Sequence, residues 1–238
     1  MKVDLNSPVY VIVFTVIVSA AFTAAVTTLQ VVGEDKIRRN EALRAEKAIV
    51  EVFHLGNTEL MTAEEIAELV GRRVDRRWMA LDPETGRKFD LVRAYKTDAE
   101  PGSERNDADL VGVAFEISGN GFWAPISGLM ALSPDLGRVL GVAFLDHSET
   151  PGLGGRITEE QFQKQFEGLN VAPPAAGRKF IYIAGERPER PDDPRFGRSV
   201  DAITGATQTS AAVERFINEN LAQFRRAMRA GPRRKTND

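Results

Sequence analysis

The chain has 238 residues, enough for one ordinary domain with additional elements. Its net charge is -3, from 31 basic and 34 acidic side chains, so no excess of positive charge favours nucleic-acid binding. It contains no cysteine, which excludes disulfides, iron–sulfur ligation, thiolate zinc sites and a cysteine nucleophile. The two histidines, His54 and His147, form no HExxH pattern, so no metal site is predicted.

The first predicted element is a membrane-spanning helix. No charged residue occurs between Asp4 and Glu34, and residues 8–32 form an apolar run long enough to cross about 30 Å of hydrocarbon. A cleaved signal peptide is the alternative, but its apolar core is shorter, about 7–15 residues, and a cleavage site follows it directly. We therefore expect residues 1–33 to be an uncleaved N-terminal transmembrane anchor.

Helical signals follow the anchor. A polar helix is expected to continue from the membrane to about Phe53. Thr62 and Glu65 then form a capping box, which opens a second, short helix. These signals predict a stalk and helical region over residues 34–88.

The hydrophobic period changes to that of β-strands from Phe89 onward. Three further apolar runs follow, at residues 110–117, 122–132 and 139–145. Turn signals separate them, which predicts a meander of antiparallel strands. A last amphipathic helix is expected from about Thr209 to Ala230, followed by a basic tail at residues 231–238. The predicted fold class is α+β: an antiparallel sheet packed by helices and preceded by one N-terminal transmembrane helix.

The sharpest local pattern is Asp-Ala-Ile-Thr-Gly-Ala-Thr-Gln-Thr-Ser at residues 201–210, between a loop and the start of the last helix. Backbone N–H groups in the first helical turn and the positive end of the helix dipole stabilise a phosphate. Gly205 and Ala206 leave room for a phosphate to approach the backbone closely. The residues alone also allow a plainer interpretation, in which Thr209 or Ser210 merely caps the helix.

This segment resembles the flavinylation motif, Asp-x-x-Ser/Thr-Gly-Ala-Thr, of the FMN-binding domain family. That family includes the C subunit of the sodium-pumping NADH:quinone oxidoreductase and the G subunit of the Rnf complex. Its last motif threonine holds FMN through a phosphoester bond, which implies covalent FMN on Thr207 here. Residues 147–155 are similar to the family's Glu-Thr-Pro-Gly-Leu-Gly loop, which lines the flavin pocket. Residues 119–128 resemble the quinone reductase subunit more than its Rnf counterpart.

The resemblance implies an FMN-binding domain over residues 89–230, with no catalytic residue of its own. Glu149 and Thr150 are expected to hydrogen-bond the flavin or its ribityl chain. Trp123 is expected to form one wall of the pocket around the isoalloxazine ring. Without the resemblance, Trp123 fits a core position equally well, and the loop fits a Pro-Gly turn. The predicted cofactor-binding residues are Thr207, Thr204, Gly205, Ala206, Thr209, Glu149, Thr150, Gly152, Leu153, Gly154 and Trp123.

Such a subunit is expected to relay electrons within a complex of integral membrane subunits. The chain has no Gly-x-Gly-x-x-Gly fingerprint, so NADH oxidation is assigned to the assembled NADH:quinone oxidoreductase. A threonine hydroxyl is a poor nucleophile unaided, so a separate FAD-dependent flavin transferase is expected to attach the FMN. Two alternatives remain open: the G subunit of an Rnf-type ion-motive electron transport complex, and an unflavinylated, membrane-tethered binding or assembly protein.

Two arguments predict different sides of the membrane for the main domain. Basic residues crowd the C-terminal flank of the anchor, at Lys36, Arg38, Arg39, Arg44 and Lys47. Positive-inside counting therefore favours the cytoplasm. The resemblance implies a single-pass protein of the bacterial inner membrane with its FMN domain on the periplasmic side. We adopt the second expectation, because partner helices in a multi-subunit assembly also influence topology.

Overall fold

A computed structural model describes residues 8–100, 102–185 and 187–235. The chain divides between Arg44 and Ala45 into two compact units. Helix α1 (Pro8–Val52) begins in the first unit and ends in the second. Its segment Pro8–Gln30 has a mean hydropathy of 2.4 and buries none of its residues. By length and composition, this segment is a candidate membrane span.

The second unit opens with the end of α1 and a short helix. The side chains of Ala48, Ile49, Val50 and Val52 are buried in this unit. Helix α2 (Ala63–Arg73) begins with the predicted capping box: Glu65 N donates to Thr62 Oγ1, and Thr62 N donates to Glu65 Oε2. This part of the sequence prediction is confirmed.

A six-stranded antiparallel sheet forms the centre of the second unit. Its strands are β1 (Val74–Leu81), β2 (Lys88–Tyr95), β3 (Leu110–Asn120), β4 (Pro125–Leu132), β5 (Val139–Asp146) and β8 (Arg233–Arg234). They are hydrogen-bonded in the order β5-β4-β3-β2-β1-β8. The short helix α3 (Glu160–Lys164) follows β5. Two shorter strands, β6 (Tyr182–Ala184) and β7 (Ser199–Asp201), form a separate parallel pair. The predicted α+β class and the meander β3-β4-β5 are confirmed.

Strand β1 lies within residues 34–88, where the sequence predicted only a stalk and helices. The register of β1 against β2 shifts between Asp75 and Trp78. This irregularity breaks the alternation of polar and apolar residues that identifies a strand in a sequence. The sheet therefore begins at Val74, earlier than the pattern indicated.

Helix α4 (Thr207–Ala230) covers one face of the sheet and begins two residues before the predicted Thr209. The ring of Phe224 stacks on Phe115 of β3 and meets the edge of Phe89 of β2. Asn220 binds the backbone of Ser118, accepting from its N–H at 3.2 Å and donating to its carbonyl at 2.9 Å. These contacts hold the C-terminal half of α4 against β2 and β3.

The parallel pair leads the chain into the motif at residues 201–210. Asn218 of α4 accepts hydrogen bonds from Phe180 N and Ile181 N, which fixes the approach to β6. Strand β7 pairs with β6 and ends at Asp201, the first residue of the motif. Residues 202–206 then connect the pair to the first turn of α4.

Candidate functional site

Thr207 is the first residue of α4, and its side chain is exposed. Ala206 occupies the N-cap position, and none of the described side chains caps the helix. Thr209 and Ser210 are both buried and bonded elsewhere: Thr209 donates to a carboxylate in the loop after β5, and Ser210 Oγ accepts from Ile203 N. The plainer interpretation of the motif, a simple Thr or Ser cap, is therefore wrong.

The turn before Thr207 needs glycine at one position. Gly205 has φ +79, and a Cβ there would lie 3.2 Å from Leu153 Cδ2. The left-handed φ favours glycine, and the close approach of Leu153 leaves little room for a side chain. Gly205 thus brings the motif against the loop that follows β5. Thr204, beside it, is exposed.

The loop after β5, residues 147–155, folds around its own backbone. The carbonyl of Thr150 accepts from Leu153 N at 3.1 Å and from Gly155 N at 2.9 Å. Gly152 is exposed with φ +74, and a Cβ there would meet nothing within 4 Å. The side chain of Thr150 is exposed. His147 Nδ1 accepts from Glu149 N, which ties the base of the loop together.

Glu149 is the buried centre of the site, with 4% of its surface exposed. Its Oε1 accepts from the backbone N–H groups of Phe122 and Trp123, at 2.8 and 3.0 Å. Its Oε2 accepts from the hydroxyl of Thr209 at 2.7 Å. The three segments singled out in the sequence therefore meet at one carboxylate. Both carboxylate oxygens of Glu149 therefore accept hydrogen bonds from donors inside the domain.

Exposed apolar side chains gather around this centre. Phe122 is 53% exposed, Trp123 66% and Leu153 45%. The rings of Phe122 and Trp123 meet edge to face, with centroids 4.8 Å apart. Side chains of this size are usually buried, so three exposed ones on segments that meet at Glu149 indicate a surface suited to an apolar ligand.

The structure brings together most of the predicted site residues. Gly154 lies against both Glu149 and Thr209, and Ala206 accepts the first backbone hydrogen bond of α4, from Ser210 N. Thr150 and Thr204 lie on the same segments, with exposed side chains. Phe122 was missed by the sequence analysis, although the preceding Gly119-x-Gly121 turn signal shows that the two aromatic residues leave the strand.

The charged groups near the motif pair with each other. Asp201 Oδ1 accepts from Arg187 N at 3.0 Å, and Asp201 Oδ2 accepts from Arg187 Nε at 3.2 Å. Within the described ranges, no group of three or more histidine or acidic side chains is placed to hold a metal ion. The arrangement suits a ligand that carries a phosphate and an apolar ring.

The FMN-binding domain family matches residues 121–222 of this chain. That range contains the turn after β3, the loop after β5 and the first turn of α4. The three segments that meet at Glu149 therefore all lie within the matched region, and the resemblance expected from the motifs is confirmed.

The chain is also similar to proteins of known name. The C subunit of the Na(+)-translocating NADH-quinone reductase of Chlamydia trachomatis is 34% identical over 131 residues, covering 51% of this chain and 42% of that protein. Its counterpart in Pseudomonas aeruginosa is 25% identical over 206 residues, covering 75% of this chain and 78% of that protein. The chain thus spans less than half the length of the first of these relatives.

A solved structure shares the fold. NqrC of Shewanella oneidensis superposes with a TM-score of 0.60 at 18% identity, covering 77% of this chain and 91% of that one. Residues 121–222 thus match the FMN-binding domain family, and the chain is similar in sequence to C subunits of Na(+)-translocating NADH-quinone reductases.

Proposed function

We propose that this chain is a membrane-anchored electron-transfer subunit that carries FMN in phosphoester linkage to Thr207. Its complex would be a sodium-pumping NADH:quinone oxidoreductase, as the names of its relatives suggest. The observation that carries the proposal is the exposed hydroxyl of Thr207 at a helix start without a side-chain cap, beside an exposed apolar cluster.

The start of α4 suits the phosphate of FMN. The first backbone N–H groups of a helix have no acceptor within the helix, and the dipole makes this end positive. Helices usually offer these donors a Ser, Thr, Asp or Asn side chain at the N-cap, but Ala206 occupies that position here. A phosphate on Thr207 would accept from these donors, which supports attachment at this residue.

The apolar cluster suits the isoalloxazine ring. Trp123 and Phe122 offer aromatic faces and edges, and Leu153 offers an aliphatic surface next to Gly205. Gly152 provides a stretch of backbone with open space in front of it. Burying these side chains against a ring would recover hydrophobic free energy, at about 25 cal/mol per Å² of apolar surface. In the proposed site, hydrogen bonds at the start of α4 therefore hold the phosphate of FMN, and apolar contacts hold its ring.

Bound FMN supplies the redox chemistry, accepting and passing on electrons. The chain's own residues hold the phosphate, orient the ring and shield one side of it from water. Because no nicotinamide-binding fingerprint occurs in the sequence, hydride transfer from NADH is assigned to other subunits of the complex. The subunit would thus act as an electron relay.

Attachment of the cofactor requires an activating enzyme. In the described part of the chain, the Thr207 hydroxyl has no hydrogen-bond partner that could serve as its base. We therefore assign the step to a separate FAD-dependent flavin transferase. The threonine Oγ would bond to the flavin-side phosphorus of FAD, the pyrophosphate P–O bond would break, AMP would leave and the hydroxyl proton would pass to the transferase.

The proposal places the FMN domain on the periplasmic side of the inner membrane, held by Pro8–Gln30. Protease added to intact spheroplasts should digest the domain beyond this segment and release a flavin-bearing fragment. Protection in spheroplasts, with digestion only after lysis, would assign the domain to the cytoplasm, the side favoured by Lys36, Arg38, Arg39, Arg44 and Lys47.

The covalent linkage is tested by Thr207→Ala in the full chain, produced together with a flavin transferase. We expect the wild type to give a fluorescent band in a denaturing gel under ultraviolet light, and Thr207→Ala to give none. Intact-mass analysis should show the FMN increment in the wild type alone. Loss of the band in Thr204→Ala, with retention in Thr207→Ala, would move the linkage to Thr204. A wild type without any covalent flavin would overturn the proposal.

A further inference from the structure

We infer that Glu149 is a positioning residue, whose buried carboxylate locks the first turn of α4 to the Phe122–Trp123 turn. The lock would hold the exposed hydroxyl of Thr207 at a fixed place beside the aromatic pair. This inference rests on the proposed function, because its purpose is to align a phosphate site with a ring site. It also reassigns Glu149 from a direct flavin ligand to an internal support.

The hydrogen bonds of Glu149 join elements that are distant in the sequence. The Phe122 amide lies 27 residues before it and the Thr209 hydroxyl 60 residues after it. All three donors are neutral: two backbone amides and one hydroxyl. A buried carboxylate is costly unless such donors satisfy it. The group is nevertheless present, and its hydrogen bonds fix the relative position of the Phe122–Trp123 turn, the loop after β5 and the first turn of α4.

Two glycines make room for this carboxylate. A Cβ at Gly121 would lie 2.5 Å from Glu149 Oε1, and a Cβ at Gly154 would lie 2.7 Å from Oε2 and 2.5 Å from Thr209 Oγ1. Neither glycine has a left-handed φ, so their backbones do not require glycine. At Gly154 the carboxylate and the Thr209 hydroxyl leave no room for a side chain, and at Gly121 the carboxylate shares this close approach with the carbonyl oxygen of Ala124, 2.7 Å from the Cβ position.

Helix geometry explains how the hydrogen bond between Thr209 and Glu149 orients Thr207 without contacting it. Residues two apart on an α-helix point about 200° away from each other. Thr209 therefore points inward to Glu149 when Thr207 points outward, and accordingly Thr209 is 3% exposed whereas Thr207 lies at the surface. Loss of the inward hydrogen bond would free the first turn to rotate or fray. The orientation of the Thr207 hydroxyl would then vary.

The test removes the hydrogen bond while preserving shape. Thr209→Val keeps the volume of the side chain and deletes the donor, whereas Thr209→Ser keeps the hydroxyl. In the full-length protein we expect Thr209→Val to slow covalent FMN attachment by purified flavin transferase by about tenfold or more, because small misplacements of reacting groups have effects of this order. Thr209→Ser should recover most of that loss. Glu149→Gln should fall between the two, since an amide can still accept from the two backbone N–H groups.

A second readout follows the aromatic turn itself. In a Trp78→Phe background, Trp123 is the remaining tryptophan, and its fluorescence anisotropy in the flavin-free protein should fall in Thr209→Val. Asn220→Ala is the matched control, since it removes buried hydrogen bonds from the same helix to Ser118. It should lower the melting temperature while leaving both the attachment rate and the anisotropy unchanged.

These measurements separate the two proposals. Unchanged attachment or unchanged anisotropy in Thr209→Val would overturn the positioning role, as would an equal effect of Asn220→Ala on both readouts. If the wild type takes up no flavin, the proposed function fails. The anisotropy then decides by itself whether the Glu149 hydrogen bonds hold the aromatic turn.

Discussion

Replacing Gly119 with alanine is expected to destabilise the domain by forcing α4 away from the sheet. Gly119 lies in β3 opposite Ile126 of β4, and a Cβ there would fall 2.7 Å from Phe216 Cγ. Carbon atoms pack at about 3.5–4.0 Å, so the methyl group overlaps the ring by roughly 1 Å. Phe216 is buried, and the added methyl group also meets its Cβ, which no change of rotamer moves, so relief requires a shift of the helix, at about 1–3 kcal/mol.

Chemical denaturation of the purified full-length chain, followed by near-ultraviolet circular dichroism, measures this loss. Gly71→Ala in α2 is the matched control, because a Cβ at Gly71 meets nothing within 4 Å. Alanine's higher helix propensity should therefore raise the free energy of unfolding by about 0.5–1 kcal/mol. The two substitutions should act with opposite signs. A Gly119→Ala protein as stable as the wild type would refute the close packing of α4 on β3.

Three further predictions concern stability. Phe224→Ala should lower the free energy of unfolding by about 3–5 kcal/mol, because the ring is fully buried against Phe115; a loss below about 1 kcal/mol in urea titration would contradict this. Thr62→Ala should cost about 1 kcal/mol through loss of the capping box, with the melting temperature as the measure. Hydrogen bonds from Arg226 hold the pKa of Asp82 well below its ordinary value of about 3.8. Because the folded-state pKa of Asp82 is depressed, the stabilisation by Arg226 is complete above the ordinary pKa of about 3.8. It is lost as the pH falls from there through the lower folded-state pKa. Melting temperatures recorded from neutral to acidic pH should therefore drop less steeply in Arg226→Gln than in the wild type, and parallel profiles would contradict the pairing.

Elements with a local cause were predicted well from the sequence. The capping box of Thr62 and Glu65 lies within four consecutive residues, and it starts α2 as expected. The meander β3-β4-β5 follows from alternating runs separated by glycine and proline turns. Strand β1 was missed because its bulge depends on its pairing with β2. The alternation of polar and apolar residues within a short stretch of sequence does not show such a pairing.

Some parts of the candidate site were likewise predictable from the sequence, and others were not. The motif at residues 201–210 and the loop at residues 147–155 were recognised from their residue order, and the family match supports that recognition. The inward bond of Thr209 and the buried state of Glu149 were not predictable, since their partners lie far away in the sequence. Trp123 was equally compatible with a core position, and only the folded turn shows that it is exposed.

The sequence by itself determined the apolar anchor candidate, the α+β class and the motif at residues 201–210 that resembles the flavinylation motif, because each depends on composition or on neighbours a few positions apart. Tertiary structure alone decided that α4 begins at Thr207 without a side-chain cap, that Thr209 turns inward, and that Phe122 remains at the surface. The physical reason is that a buried carboxylate must be satisfied by hydrogen-bond donors, wherever in the chain they occur. Glu149 draws those donors from two distant segments, so the shape of the site exists only once the sheet and α4 have packed together.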